Sequence, residues 1–322
     1  MDFLGQRMPY VTAFSKALGT GMVISADSPI DDKVRSAMES LIEDYEHVLS
    51  RFRNDSLIAA IGKAEHGGSF DFPDWCAPLF DLYDALFSAT SGAIDPCVGE
   101  DLIRLGYDAS LSFTVTQDAP EHLGALRGRA VWGRDVTRHG TTLVTHEPVQ
   151  LDFGACGKGY LVDLLGRMLQ SSQFVIDAGG DLLIHAEQPI SVALEDPEDQ
   201  SHAIGIAHIA NGALCASAPS RRHWNVAVNE RTQIAIHHLL NAIDGLPAQQ
   251  TEASWAYVPA NATFNLARDY PTAVADGLAT ALFVSDVAQL QRTFDFTYAT
   301  LDESRQIAVS RNFPAELFLR SA

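Results

Sequence analysis

Basic residues are scarce: 22 Lys and Arg stand against 41 Asp and Glu in 322 residues, a formal net charge of −19. That shortage argues against nucleic acid as a partner, because phosphate backbones are held by clustered Lys and Arg. It equally disfavours anionic membrane surfaces. Cysteine is rare and scattered. Cys76, Cys97, Cys156 and Cys215 form no C-x-x-C pair and no zinc spacing, so they read as four reduced thiols. No stretch approaches the roughly 18 consecutive apolar residues of a membrane span. Met1 to Arg7 lacks a basic region followed by an apolar run, so no signal peptide is visible. These absences together predict a cytoplasmic protein. Pro, Gly and Ser nowhere concentrate into a linker, and no repeat is visible. With 47% hydrophobic residues available for a core, residues 1–322 read as one intertwined α/β (α+β) domain.

Asp31 to Leu49 is the clearest helix, because Val34, Met38, Leu41, Ile42, Tyr45, Val48 and Leu49 recur at helical spacing behind two aspartates. A second helix is expected from near Asp74, with Leu79, Leu82, Leu86 and Phe87 inward. A third is expected from Gly157 to Leu169, and a short, small-residue helix from Ala273 to Phe283. Leu143–Leu151, Phe174–Ile176, Ile190–Leu194, Ala203–Ala210 and Asn225–Val228 read as strands. Gly179-Gly180 reads as a tight turn after a strand.

Four segments carry potential chemistry. In Asp152-Phe153-Gly154-Ala155-Cys156-Gly157-Lys158-Gly159, a strand ends on an acid and a Lys stands at a helix start. The spacing excludes a P-loop and a G-x-G-x-x-G fingerprint. Two readings stand: a phosphate cradle, or a tight turn beside a surface Lys. Asp276 and Thr280 lie one helical turn apart and offer hard oxygens suited to Mg²⁺, or else an internal hydrogen-bonding pair. His237-His238 would point to opposite faces of a strand, which argues against a shared metal; either one acts as a base, or one is simply buried and the other exposed. Arg221-Arg222-His223-Trp224 reads as a ring-stacking or phosphate-binding turn, or an ordinary basic one.

Taken in chain order, these pieces resemble the FAD:protein FMN transferase family (ApbE-type). Ala17-Leu18-Gly19-Thr20 is similar to that family's M-G-T, and Ser50-Arg51-Phe52 to Ser56 to its S-R-F-x-x-x-S. Ser91 to Gly99 resembles G-A-F-D-P-T-V-G, and Asp152 to Asp163 resembles D-L-G-G-I-A-K-G-Y-A-V-D. Asp177 to Asp181 matches the G-G-D turn, and Ala275 to Phe283 resembles A-D-A-L-A-T-A-L-F.

The resemblance implies an ApbE-like fold built from a duplicated strand/helix unit. It implies Mg²⁺-dependent transfer of FMN from FAD to a Thr or Ser of an acceptor flavoprotein, with release of AMP. The implied metal ligands are the Ala155 carbonyl, Asp276 and Thr280. The implied FAD site is lined by Leu18, Phe52, Ala93, Ile94, Asp95, Asp152, Lys158 and Leu240. His238 aligns with a motif histidine and stands as the base, with Asp276 as the other catalytic residue.

Three departures accompany the resemblance. H-I-I-D-P-x-T-G appears as His238 to Gly245 without the Asp-Pro and the Thr, and T-S-G-D-Y appears as Ala216-Ser217-Ala218-Pro219-Ser220. Ala279 stands where some members carry a further oxygen ligand. Two rival activities follow: hydrolysis of FAD to FMN and AMP, and flavin binding without catalysis.

Overall fold

A computed structural model describes residues 4–229 and 232–318. Nine strands form the main sheet: β1 (Tyr10–Ala17), β2 (Thr20–Ala26), β3 (Phe174–Asp177), β4 (Asp181–Glu195), β5 (Ala203–Ser217), β6 (Thr251–Pro259), β7 (Thr297–Asp302), β8 (Ile307–Val309) and β9 (Ala315–Leu317). The first eight lie side by side in chain order, every neighbour antiparallel, and β9 adds to β5. Adjacent residues along a strand face opposite sides. Ile176, Ala213, Cys215 and Ala256 therefore join the larger core, while Val175, Leu214 and Trp255 join a second core on the other face.

Four helices matter for the larger core: α1 (Asp32–Leu49), α2 (Ala77–Ala89), α3 (Gly157–Gly166) and α4 (Pro271–Ala281). The Asp31 carboxylate caps α1 by accepting from Lys33 N at 2.8 Å, and Met38, Ile42, Tyr45 and Leu49 form its buried stripe. α4 is buried on nearly all sides, which its small residues permit. A Cβ on Gly159 of α3 would lie 2.3 Å from the Thr272 carbonyl oxygen of α4, so glycine is what lets the two helices touch.

Outside the sheet, Gly68–Asp71, Thr142–Thr145 and Val136–His139 form a three-stranded sheet. His223–Asn229 pairs with Thr232–His237 in a separate hairpin. A third cluster joins Leu102, Leu105, Tyr107, Trp224, Ile236 and Leu240.

The observed elements depart from expectation in four ways. The strand expected over 143–151 ends at Thr145, because Pro148 carries no N–H for a ladder. The third helix stops at Gly166 rather than at residue 169. Phe87 is half-buried against the core, and Phe80 and Tyr83 join the expected leucines on the buried face. The hairpin β1–β2, the strands β6 to β9 and the strands Gly68–Asp71 and Val136–His139 lie outside the expected strands.

Candidate functional site

Each of α3 and α4 supplies a carboxylate to the other's first turn. Asp163 on α3 accepts from Thr272 N at 3.1 Å and Ala273 N at 2.8 Å, capping α4. Asp276 on α4 accepts from Gly159 N at 3.0 Å in the first turn of α3. This exchange fixes the register of two helices whose residues include Lys158, Asp276 and Thr280. Burial pushes the Asp163 carboxyl up to about 7, against the pull of its hydrogen bonds.

Lys158 Nζ lies 2.6 Å from Asp181 Oδ2 and 3.3 Å from Asp276 Oδ1. Burial works against the ammonium, but the two carboxylates outweigh it and hold the lysine pKa above its ordinary value. The Asp276 carboxyl is pushed up by burial and by the neighbouring Asp181, against the pull of Lys158 and the Gly159 N–H. One ammonium thus faces two carboxylates that are 1% and 3% exposed. Thr280 Oγ1, one turn beyond Asp276, is 3.4 Å from the Ala155 carbonyl oxygen. Of the expected ligand trio, Thr280 and the Ala155 carbonyl are in contact, and Asp276 stands one turn before Thr280 on α4. Among the described residues, no group of three or more His, Cys, Asp or Glu side chains gathers as a metal site. The oxygen set here consists of a carboxylate, a hydroxyl and a carbonyl.

The residues expected to line the flavin fall into three groups. Leu18 and Gly19 form the two-residue tip of the β1–β2 hairpin, both with positive φ (53° and 69°), and Leu18 N donates to Glu46 Oε1 of α1 at 2.9 Å. A leucine in that backbone region is strained, and Glu46 helps to hold it there.

Phe52 is exposed beside Tyr107, 5.4 Å between ring centroids. Against both rings lies the Arg51 guanidinium, its Cζ 4.2 Å from the Phe52 centroid and 4.6 Å from the Tyr107 centroid, while its Nε donates to Asp152. Asp152 also accepts from Gly154 N at 2.6 Å, so it shapes the turn that carries Ala155.

Ala93, Ile94 and Asp95 are all buried. Asp95 Oδ1 accepts from Cys97 N at 2.8 Å, and Oδ2 lies 3.4 Å from Arg129 Nη1. Its carboxylate is engaged inside the protein, by Cys97 N, Trp132 N and Arg129. Leu240, buried, pairs with Pro247 in a two-residue ladder, and Ala242 N donates to the Ala93 carbonyl at 3.0 Å. The Ala93 turn and the loop after His238 are thus neighbours.

His238 follows the strand Thr232–His237, and its Nδ1 lies 3.2 Å from the Arg222 carbonyl oxygen. A carbonyl only accepts, so Nδ1 carries the proton and Nε2 keeps its lone pair. Burial drives the pKa of His238 down to about 4, leaving the ring neutral near pH 7. His237 instead donates from Nε2 to the Ala248 carbonyl at 2.8 Å, a structural bond. Trp224 is buried and donates to the Leu105 carbonyl at 2.9 Å, and Arg222 donates to the Tyr107 hydroxyl. That turn belongs to the third core cluster rather than offering a free ring.

Four residues were not singled out from the sequence: Arg51, Arg129, Asp163 and Asp181. Asp163 and Asp181 closed segments quoted for other reasons, and a buried acid after a glycine turn or in mid-helix was the available signal. Arg129 sits in no motif. The four cysteines are free and buried, and burial holds each thiol pKa above its ordinary value. No helix among the described residues is long and apolar enough to cross a membrane.

Comparison with known proteins follows the same outline. A curated FAD:protein FMN transferase of Treponema pallidum (strain Nichols) is 27% identical over 286 residues, spanning 78% of this chain and 72% of the relative. The ApbE protein of Thermotoga maritima superposes with a TM-score of 0.78 at 20% identity, covering 95% of this chain and 99% of the other. The flavin transferase ApbE of Vibrio cholerae gives 0.74 at 17% identity, covering 94% and 97%. At these identities the two structures establish the fold. The sequence pattern of the ApbE family matches residues 18–298, most of the length, and the chain belongs to the ApbE family.

Proposed function

We propose that this chain is a flavin transferase that moves FMN from FAD to a Thr or Ser hydroxyl of an acceptor flavoprotein, releasing AMP, with Mg²⁺ as the metal. The observation that carries this reading is the meeting of Lys158, Asp181 and Asp276 beside the Thr280 hydroxyl and the Ala155 carbonyl. Once both are ionised, two buried carboxylates against one ammonium leave an excess of negative charge, and the nearby donors are hard oxygens. Both features fit a small divalent cation such as Mg²⁺. Asp276, Thr280 and the Ala155 carbonyl would hold it. When bound, such an ion polarises the phosphoryl group and offsets the charge of the diphosphate.

The acceptor oxygen attacks the phosphorus on the FMN side of the diphosphate. A new phosphoester P–O bond forms, and the bond to the AMP oxygen breaks with its electron pair. His238 Nε2 takes the hydroxyl proton, its ring held by the Nδ1–H bond to Arg222. Lys158 supplies positive charge to the diphosphate from the edge of its carboxylate pair. Leu18, Phe52, Ala93, Ile94, Asp95, Asp152 and Leu240 frame the flavin in this reading. One continuous core joins Phe14 to Phe296, which supports a single domain, and four free thiols fit a reducing, cytoplasmic compartment.

Incubation of the pure protein with FAD, Mg²⁺ and a candidate acceptor tests the reading. A flavin-fluorescent acceptor band with stoichiometric AMP supports it. Free FMN plus AMP, with no labelled acceptor, identifies a hydrolase. Unchanged FAD overturns catalysis.

A further inference from the structure

We propose that Arg129 is a positioning residue for flavin binding, tying the Ala93–Asp95 turn to the loop that follows His238. The inference rests on the reading above, in which those two segments face FAD.

The Arg129 side chain is wholly buried, and its guanidinium reaches four groups. Nη1 lies 3.4 Å from Asp95 Oδ2 and donates to the Ala130 carbonyl. Nε lies 2.8 Å from Asp101 Oδ2, an ion pair whose angle falls short of a hydrogen bond. Nη2 donates to the Ala242 carbonyl at 2.6 Å. The same region is closed by backbone contacts. Ala125 N donates to the Ala242 carbonyl at 3.1 Å, and Gly124 N donates to Asp101 Oδ1 at 2.8 Å. A Cβ on Gly124 would lie 2.3 Å from the Asp244 backbone carbon, so that chain passes directly against the loop.

Buried ion networks add little to stability over apolar packing of the same volume. What the planar fork adds is direction: it fixes Asp95 and Ala242 relative to each other, and a lysine cannot hold both at once. Asp95 and Ala242 belong to segments that carry proposed flavin contacts, Ala93 to Asp95 on one side and Leu240 on the other.

The test uses the full chain with Mg²⁺ and FAD, reading the FAD dissociation constant by fluorescence titration, turnover at saturating FAD, and the unfolding midpoint. Arg129→Lys is expected to weaken FAD binding about tenfold, equivalent to about 1.4 kcal/mol. Turnover at saturating FAD should change much less. Ile307→Ala, in the second core on the far face of the sheet, should lower the midpoint and leave FAD affinity alone. A folded Arg129→Lys protein with wild-type affinity overturns the proposal. So does a loss of affinity that tracks the midpoint equally in both variants. Should Arg129→Lys fail to fold, Asp101→Asn keeps an acceptor for Gly124 N and loosens only the Nε side. A smaller but measurable loss of affinity is then expected, and none overturns the assignment. Wild-type protein that binds FAD without transferring FMN refutes the catalytic reading, while the role of Arg129 is still decided by affinity. Wild type that fails to bind FAD refutes both.

Discussion

Replacing Lys158 by Met removes the ammonium that faces Asp181 and Asp276 at 2.6 and 3.3 Å. Breaking a fully buried pair costs about 3–5 kcal/mol, because the partner is left as an unpaired buried charge. Lys158 is 31% exposed, so solvent screening trims this to about 2–3 kcal/mol. The loss depends on pH. The Asp276 carboxyl already sits above its ordinary value of 3.8 in the folded protein, and without Lys158 it rises further. A carboxyl with a raised folded pKa holds its proton in the folded state after the unfolded chain has released it. Stability therefore falls as pH rises from the unfolded value towards the folded one, by about 1.4 kcal/mol per unit.

Wild type and variant share that slope until the wild-type carboxyl ionises. Beyond that point only the variant keeps losing stability. Thermal unfolding at about pH 5 and about pH 8 should show a gap between the two proteins that widens with pH, by a few degrees at about 2–4 °C per kcal/mol. Mg²⁺ should narrow the gap at the higher pH if Asp276 is a ligand. A gap of equal size at both pH values refutes the claim that Lys158 neutralises this pair.

Asp276→Asn should abolish Mg²⁺-dependent FMN transfer while circular dichroism stays native, and retained turnover would remove Asp276 from the metal site. Thr280→Val should raise the Mg²⁺ concentration needed for half-maximal activity with little change in the unfolding midpoint. His238→Gln should lower kcat by about 10²–10⁴-fold with FAD affinity kept. In the wild type, His238 itself should contribute no limb to kcat/KM near pH 6.5 and should lower it only as pH drops towards 4, where the ring becomes protonated. Asp163→Asn leaves one of two α4 N–H groups without its acceptor and should cost about 1–2 kcal/mol in chemical denaturation. Because burial raises the Asp163 carboxyl to about 7, this variant should also show a shallower loss of stability between about pH 4 and pH 7.

The helices were legible in the sequence because each carries a local signal. α1 shows an Asp cap and a stripe at 3.6-residue spacing, and α4 shows a run of small apolar residues. The main-sheet strands outside the expected set, β1, β2 and β6 to β9, lack such a signal. β1 is an edge strand with most of its residues exposed, so its alternation is blurred. β6 is buried on nearly both faces, and a continuous apolar run does not by itself separate strand from helix. Among the site residues, Lys158, Asp276 and Thr280 were visible because a turn and a single helix hold them at short spacing. Asp181, Asp163 and Arg129 act across 23, 109 and 113 residues of chain, on Lys158, Thr272 and Ala242 respectively, and no local pattern records such distances.

The departures from the family pattern also have local physical accounts. In the loop after His238, Asn241 Oδ1 accepts from Ile243 N at 3.0 Å, and the Asn241 carbonyl accepts from Gly245 N at 2.7 Å. An Asn side chain closes this turn without a carboxylate or a following proline. Gly245, at φ +74°, supplies the left-handed residue and passes against Gly124. The backbone of the loop is therefore built by Asn241 and Gly245, and Arg129 binds it from below through Ala242. At the proposed metal end, Ala279 is fully buried and its carbonyl accepts from Ser254 Oγ at 2.7 Å, so that position anchors α4 to β6. A site short of one protein oxygen leaves more of the coordination sphere to substrate phosphate and water, which Mg²⁺ tolerates because it gives up its waters reluctantly. The expected consequence is a metal requirement that depends on FAD: Mg²⁺ binding measured by calorimetry should be weak alone and should tighten when FAD is present. Equal Mg²⁺ affinity with and without FAD would show that the protein oxygens alone complete the site.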